Sequence, residues 1–425
     1  MVSHTSFYKY INHYILGSIM NNGTADGYEY EIIWEKDYDG GGNMGVAIDS
    51  KNNVIACGIN KSEDKGIVVK YDENGEEKWS NQDLPNFYAM PLAKDSSMPS
   101  GIKELLRDYG YFFDIAVDSK DNIIVAGTFT AGDGKRSVMY VKKYDSQGNE
   151  IWERTYTPFL VNLASGVAID DNDDIIIAGG GTMAALSFKG CIIKISGENG
   201  RMIWKRLRRR RGIVLYTSVV TNANDIIALG FSRYDDNLDL IVTKFGGRLG
   251  LRKNELIRWG NKVGMKIVMN KQNNFIVVGK TEKEEEHYLL KFDSNFNILW
   301  EKGKTKGFLY GVSVMKNGEI VASGFKEGIN EYYAALYNKD GEKLLDMLLG
   351  ERMSNLPDDY MRGIAIDGNN DMVITGARTV GKTMKVRIKY AEEPSPPSPP
   401  SPSAPTHEHP KESWLHRLLR WLFGR

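Results

Sequence analysis

An all-β chain, built from seven four-stranded units set around an axis, is predicted by three observations. First, one grammar recurs seven times: a short apolar run, a polar turn, an apolar run closing on Gly, a variable stretch, a Lys-aromatic-Asp strand and a Trp strand. Second, the turns open at Asp49, Asp118, Asp170, Thr221, Asn270, Met315 and Asp367. The closing glycines, Gly58, Gly127, Gly179, Gly230, Gly279, Gly324 and Gly376, each follow nine residues later. Third, the last unit has no Trp strand of its own. After Tyr390 the chain runs into EEPSPPSPPSPSAP, and proline cannot donate to a strand ladder.

The missing strand stands at the other end of the chain. EIIWEKDY (31–38) repeats EIWERTY (150–156) and ILWEKG (298–303), but no unit precedes it. It is expected to complete the seventh unit, closing a seven-bladed β-propeller of four-stranded blades. Ring closure leaves only short, protected strand edges. A sandwich would also use short strands, yet would explain neither the equal units nor the displaced strand. The expected organisation is an N-terminal extension (1–30), the propeller (31–392), a Pro/Ser-rich linker (393–410) and a C-terminal amphipathic helix (411–425).

Within the units, third strands carry Lys70-Tyr71-Asp72, Lys143-Tyr144-Asp145, Lys194-Ile195, Lys244-Phe245, Lys291-Phe292-Asp293, Leu336-Tyr337-Asn338 and Lys389-Tyr390. Fourth strands carry Trp79, Trp152, Trp204, Trp259 and Trp300, with Leu345 in the sixth. The tryptophans are expected to pack between blades, since aromatic rings dominate core burial. The turn pairs Asp49/Asn53, Asp118/Asn122 and Asp170/Asp174 fit side chains that bond turn backbone.

Composition agrees with a globular chain. Of 425 residues, 41% are apolar and 26% charged, with Lys+Arg 55 against Asp+Glu 55. That balance disfavours nucleic-acid binding by bulk charge. Cys57 and Cys191 each lie in an apolar run, so buried thiols are expected rather than a disulfide framework.

Phrases such as DIAVDSKDNIIVAGTF and VKKYDSQGNEIW resemble the SBBP-type β-propeller repeat, a subset of the PQQ-like and quinoprotein-like propellers. The resemblance runs over roughly residues 31–390. It implies a propeller fold and a binding or scaffolding role, in proteins that are often exposed at the cell surface. Propellers carry many unrelated functions, so function rests on sites.

Catalytic candidates are few. AIDDNDDI (168–175) suggests a calcium loop but lacks the Gly and the later Glu of an EF-hand-type loop. His287, beside EKEEE (282–286), reads as an edge position on a solvated turn. His407 and His409 lie in the Pro-rich stretch, where a metal would need ligands from elsewhere. No phosphate loop, nucleophile elbow or zinc spacing occurs, and neither a cofactor nor a metal is expected.

Two features point to binding. The loops on one face are elaborated: residues 83–112, with a helix expected from Ser100 to Tyr109, then KRLRRRRG (205–212) and ERMSNLPDDYM (351–361). Lys205, Arg206, Arg208, Arg209, Arg210 and Arg211 form a basic loop suited to a phosphate, a polyanion or an acidic protein partner. With only Tyr216 nearby to stack on bases, nucleic acid is not the expected ligand.

The tail is the second. Trp414, Leu415, Leu418, Leu419, Trp421, Leu422 and Phe423 fall on one helical arc, with His416, Arg417 and Arg420 opposite. This pattern suits a helix lying in a membrane interface, or docking on an assembly protein. Residues 1–30 lack a signal-peptide pattern. The expected protein is therefore a monomeric, non-catalytic binding propeller, cytoplasmic and tethered by its tail to a membrane or partner. An enzyme working at the channel mouth and a structural cell-surface protein are the alternatives.

Overall fold

The computed structural model describes residues 27–39, 41–60, 65–84, 113–130, 136–182, 188–208, 213–222, 225–234, 237–258, 261–281, 285–351, 361–376, 380–390 and 414–424. The chain divides into two compact units, Met1–Lys389 and Tyr390–Arg425. The expected helix at 100–109 and the insertion from 85 to 112 fall outside the described residues, as do 352–360.

Among its described residues, the first unit's regular elements are all strands. Strand β1 (Tyr28–Asp39) comes first. β2 (Gly41–Ile48), β3 (Val54–Asn60), β4 (Lys65–Tyr71) and β5 (Glu77–Leu84) then form one antiparallel sheet. The second sheet is β6 (Phe113–Val117), β7 (Ile123–Thr130), β8 (Ser137–Tyr144) and β9 (Glu150–Tyr156). The third is β10 (Val161–Ile169), β11 (Ile175–Thr182), β12 (Lys189–Ile195) and β13 (Met202–Arg208). The fourth is β14 (Ile213–Thr221), β15 (Asp225–Tyr234), β16 (Asn237–Gly246) and β17 (Arg252–Arg258).

Next come β18 (Lys262–Met269), β19 (Phe275–Thr281), β20 (Glu286–Phe292), β21 (Ile298–Val314), β22 (Ile320–Lys326), β23 (Glu331–Tyr337) and β24 (Lys343–Glu351), joined in one seven-stranded sheet. β21 makes the join, because its first half pairs with β20 and its second half with β22. The last sheet holds β25 (Met361–Ile366), β26 (Met372–Gly376) and β27 (Val380–Tyr390), with β1 beside β27 in the order β1-β27-β26-β25.

The first strands touch in sequence: β2 with β6, β6 with β10, β10 with β14, β14 with β18, β18 with β21, β21 with β25, and β25 with β2. Burial is greatest in the second and third strands: β26 is buried throughout, while in β25 only Met361 is. Every residue of β11 is buried, whereas in β9 only Trp152 and Tyr156 are. Second strands are covered by neighbouring sheets on both faces, so they read as continuous Val/Ile/Ala runs. The core is divided accordingly. One cluster joins Ile124, Val141 and Trp152 of the second sheet to Val167, Ile177 and Cys191 of the third.

The polar turns link the sheets. Asp49 Oδ1 accepts the backbone N–H of Lys51 and Asn53, and its Oδ2 accepts Asn53 Nδ2, as expected for turn-forming side chains. Ser50 donates to Asp121 and Ser119 to Asp173, each in the next sheet's turn, and the Gly368 N–H donates to Asn52 of the first.

The same aspartates do more. Lys70 pairs with Asp49 at 2.8 Å, Lys143 with Asp118 at 2.7 Å, Lys194 with Asp170 at 2.6 Å and Lys385 with Asp367 at 2.7 Å. Most of these lysines also reach the following sheet: Lys70 donates to Ser146 O, Lys143 to Gly197 O and Lys385 to Glu73 O. The outer tryptophans meet the same turns, with Trp34 donating to Glu73 O, Trp79 to Ser146 O and Trp152 to Gly197 O. Each indole lies over a turn glycine at positive φ. A Cβ on Gly75 (φ +83) would stand 2.8 Å from Trp34, and one on Gly148 (φ +88) 2.8 Å from Trp79.

Three expectations need correction. Trp259 falls outside the described residues, and Asn254 holds the fourth unit's Trp place opposite Lys244. With Asn254 in that place, the next turn carries Phe296 at φ 72 where the others described carry Gly. In the seventh unit the repeat Lys is Lys385, opposite Val373, rather than Lys389, because β27 runs on for a further turnless stretch. In the fourth unit the turn opens at Asn222, which bonds Asp225, so that turn is one residue shorter than the spacing from Thr221 implied.

Unit six departs for a topological reason. Its Lys and Trp places hold Leu336 and Leu345, and its turn Asp is Met315. The neighbour it would reach has no third-to-fourth-strand turn, since β27 and β1 come from opposite ends of the chain. With no acceptor carbonyl there, the reaching groups are replaced by an apolar cluster of Met315, Leu336, Leu345 and Tyr30.

Candidate functional site

One first-strand level differs from the rest. The residues paired just before the closing glycines are Gly45, Asp114, Gly166, Ser218, Lys266, Gly311 and Gly363. Glycine is needed there because neighbouring first strands approach closely: a Cβ on Gly166 would stand 2.9 Å from Ser218 Cα, and one on Gly311 2.4 Å from Arg362 O. The two charged exceptions meet each other. Lys266 Nζ lies 3.0 and 2.9 Å from the Asp114 carboxylate oxygens. β6 and β18 are not neighbours in the cycle of first strands, so this pair crosses the enclosed centre. Asp114 Oδ2 also accepts the Val167 N–H. The Lys266 side chain keeps 35% exposure, so one end of this crossbar faces water.

The titratable groups elsewhere are buried or held in ion pairs. Burial and Lys343 push the His287 imidazole down to about 4, and His287 is buried in β20. This corrects the expected solvated edge: Glu285 is exposed and Glu286 partly so, but strand alternation turns the next side chain inward. Lys142 sits between Asp83 and Glu150 at 2.7 and 2.9 Å, and Tyr144 donates to Asp83. Burial and the Asp83 carboxylate push the Tyr144 hydroxyl well above its ordinary range, so it stays protonated. Cys57 and Cys191 are free and buried; burial raises the Cys191 thiol to about 12 and the Cys57 thiol higher still, which leaves both thiols unreactive. Among the described residues no group of His, Cys, Asp or Glu is placed to hold a metal ion.

The basic loop is only partly described. Lys205 is exposed on β13, and Arg209, Arg210 and Arg211 fall outside the described residues. Arg206 lies over Trp204, with its Nε donating to Gly250 O. Arg208 makes a two-pronged bond to Glu255 of the next sheet at 2.7 and 2.5 Å. These two arginines therefore join sheets three and four rather than wait for a ligand. A charge run shows the donors but not the carboxylate 47 residues away that takes them. Arg208→Ser is accordingly expected to destabilise the fold by about 1–3 kcal/mol, by stranding the half-buried Glu255. Urea unfolding checks this; an unchanged midpoint would show the pair to be neutral.

In the second unit, helix α1 covers Trp414–Phe423, shorter at both ends than the expected 411–425. Arg417, Leu418, Leu419, Arg420 and Trp421 are all exposed, Trp421 at 81%. The described residues contain no helix long and apolar enough to cross a membrane.

No known family and no curated protein matches the sequence. Among solved structures, the quinohemoprotein alcohol dehydrogenase from Comamonas testosteroni is similar over 84% of this chain and 76% of its own, at 9% identity and a TM-score of 0.51. The Dos1 propeller matches over 81% and 77%, at 12% identity and 0.48. Extracellular domains 1-2 of Drosophila Semaphorin 1b match over 85% and 88%, at 8% and 0.48. Likeness at such identities speaks to fold alone. The four-stranded sheets and their closed cycle of first strands make the described chain a β-propeller.

Proposed function

We propose that this is a non-catalytic binding propeller that attaches to anionic membrane surfaces through α1. In this reading the seven sequence units are seven blades, with β1 as the outer strand of the last, and the SBBP-type phrases mark the repeat subfamily. The exposed helix carries the reading. Leu418, Leu419 and Trp421 stand open to solvent at 43, 46 and 81%, with Arg417 and Arg420 exposed among them. Leaving such apolar area in water is unfavourable, and an interface that takes the apolar arc while headgroups meet the arginines relieves it. Lys142 and Tyr144 are held by Asp83, and both thiols are buried, which supports a binding role over catalysis.

Sedimentation of the full chain with phosphatidylcholine vesicles, with and without phosphatidylserine, tests this. Wild type is expected to bind the anionic vesicles, and Leu418→Ser with Leu419→Ser and Leu422→Ser to lose a hundredfold or more, since each large apolar side chain contributes about 1.5–3 kcal/mol at full burial. Arginine replacements should weaken binding chiefly at low salt. If wild type ignores both vesicles, the helix serves a protein partner and the membrane reading fails.

A further inference from the structure

The strand that completes the last sheet arrives without a turn to set its register. β27 ends at Tyr390 and β1 begins at Tyr28, so nothing covalent specifies which residues face each other. A one-residue slip would turn every β1 side chain to the opposite face. The other outer strands are delivered by short turns, such as Asp72 to Glu76 and Asp145 to Asn149.

The two strands instead carry opposite charge. β1 reads YEYEIIWEKDYD, with five acids and one Lys, and β27 reads VGKTMKVRIKY, with four basic residues and no acid. Lys385 and Arg387 are held by Asp367 and Asp371 of their own sheet, and the other two basic residues reach β1. Lys382, with a side chain only 8% exposed, is held between Glu35 and Asp37, the latter at 2.7 Å, and Lys389 pairs with Glu31 at 2.5 Å. A one-residue slip would bring Lys36 toward Lys382. Trp34 is seated over Gly75, and the Tyr30 hydroxyl donates to Leu348 O, which marks the same register on both flanks.

We propose that β1 and β27 recognise each other by charge, making the edge of β27 that β1 covers selective for an acidic strand and ring closure a clasp that salt can release. The occupant is β1 of the same chain. This rests on the closed-ring reading above. Glu35, Asp37, Glu31 and Lys389 keep 40–50% of their side chains in water, so salt can screen these pairs, whereas backbone ladders and the seated Trp34 respond far less.

The test starts from the folded full chain with a protease site introduced in the glycine link at 40–42. After cleavage, native mass spectrometry follows retention of the fragment bearing β1. Retention is expected at 0.05 M ammonium acetate, with apparent affinity falling about tenfold or more by 1 M. Lys382→Glu should release the fragment at low salt, and adding Glu35→Lys with Asp37→Lys should restore it. Retention indifferent to salt and to Lys382→Glu would overturn charge recognition while leaving closure intact. A chain of residues 40–425 that melts as cooperatively as the whole would overturn the closed-ring reading itself.

Discussion

Replacing Lys143 with Met is expected to destabilise the protein by about 3–5 kcal/mol, because it strands a buried carboxylate. Asp118 and Lys143 are each 5% exposed and lie 2.7 Å apart. Burial works against the Asp118 charge, but Lys143, Asn122 and two turn N–H groups outweigh it and hold its pKa below the ordinary carboxylate range. Removing the lysine removes the largest of those favourable contributions. The pair as a unit is a different matter, since taking both charges from water costs much of what their attraction returns. Unit six shows the alternative within the same molecule, with Met315 and Leu336 buried at the same two places. Asp118→Met with Lys143→Leu should therefore recover most of the loss. Urea unfolding of the single and double variants decides it; a double variant no better than Lys143→Met would show that the bond to Gly197 O, rather than the ion pair, holds the sheets. Because the Asp118 pKa is lowered in the fold, its contribution is present above the unfolded carboxylate pKa. It is lost as pH falls through the lower, folded value. The wild-type advantage over the double variant should shrink below about pH 4.

Gly148→Phe should destabilise on a similar scale. The position has φ +88, and a Cβ there would stand 2.8 Å from Trp79. Left-handed backbone costs a non-glycine residue about 1–2 kcal/mol, and overpacking a further 1–3. The fifth unit again supplies the control: Phe296 occupies this turn place at φ 72, opposite Asn254 rather than a tryptophan. Combining Gly148→Phe with Trp79→Asn should return the packing part and leave the backbone part. Thermal unfolding of the three variants separates the two. If the double variant melts below Gly148→Phe, the indole seat is not the cause.

The repeat was legible because turn chemistry and strand spacing are local. Asp49 with Asn53, and each closing glycine, declare themselves within a dozen residues. What failed was register across strands. Trp259 was a tryptophan near the right place, but the ladder sets Asn254 opposite Lys244. Lys389 had the right neighbours in sequence, yet Lys385 faces Asp367. The repeated Lys and Asp were both visible, while their meeting was not, since one stands on a third strand and the other at a turn some 20 residues earlier. Asp114 and Lys266 carry no motif at all; they stand out only once the glycine level is aligned by pairing. The tail helix was legible from its own periodicity. The ties of Arg206 and Arg208 depend on a neighbouring sheet that no local pattern announces.

The split last sheet also sets an order in time. β27 leaves the ribosome some 350 residues after β1. At about 5–20 residues per second, β1 waits roughly 20–70 s without its partner. During that interval it is an unpaired strand carrying Ile32, Ile33 and Trp34, the kind of segment that recruits neighbouring chains. Its five acids act as gatekeepers, repelling copies of itself on the same polysome until a basic strand emerges to receive it.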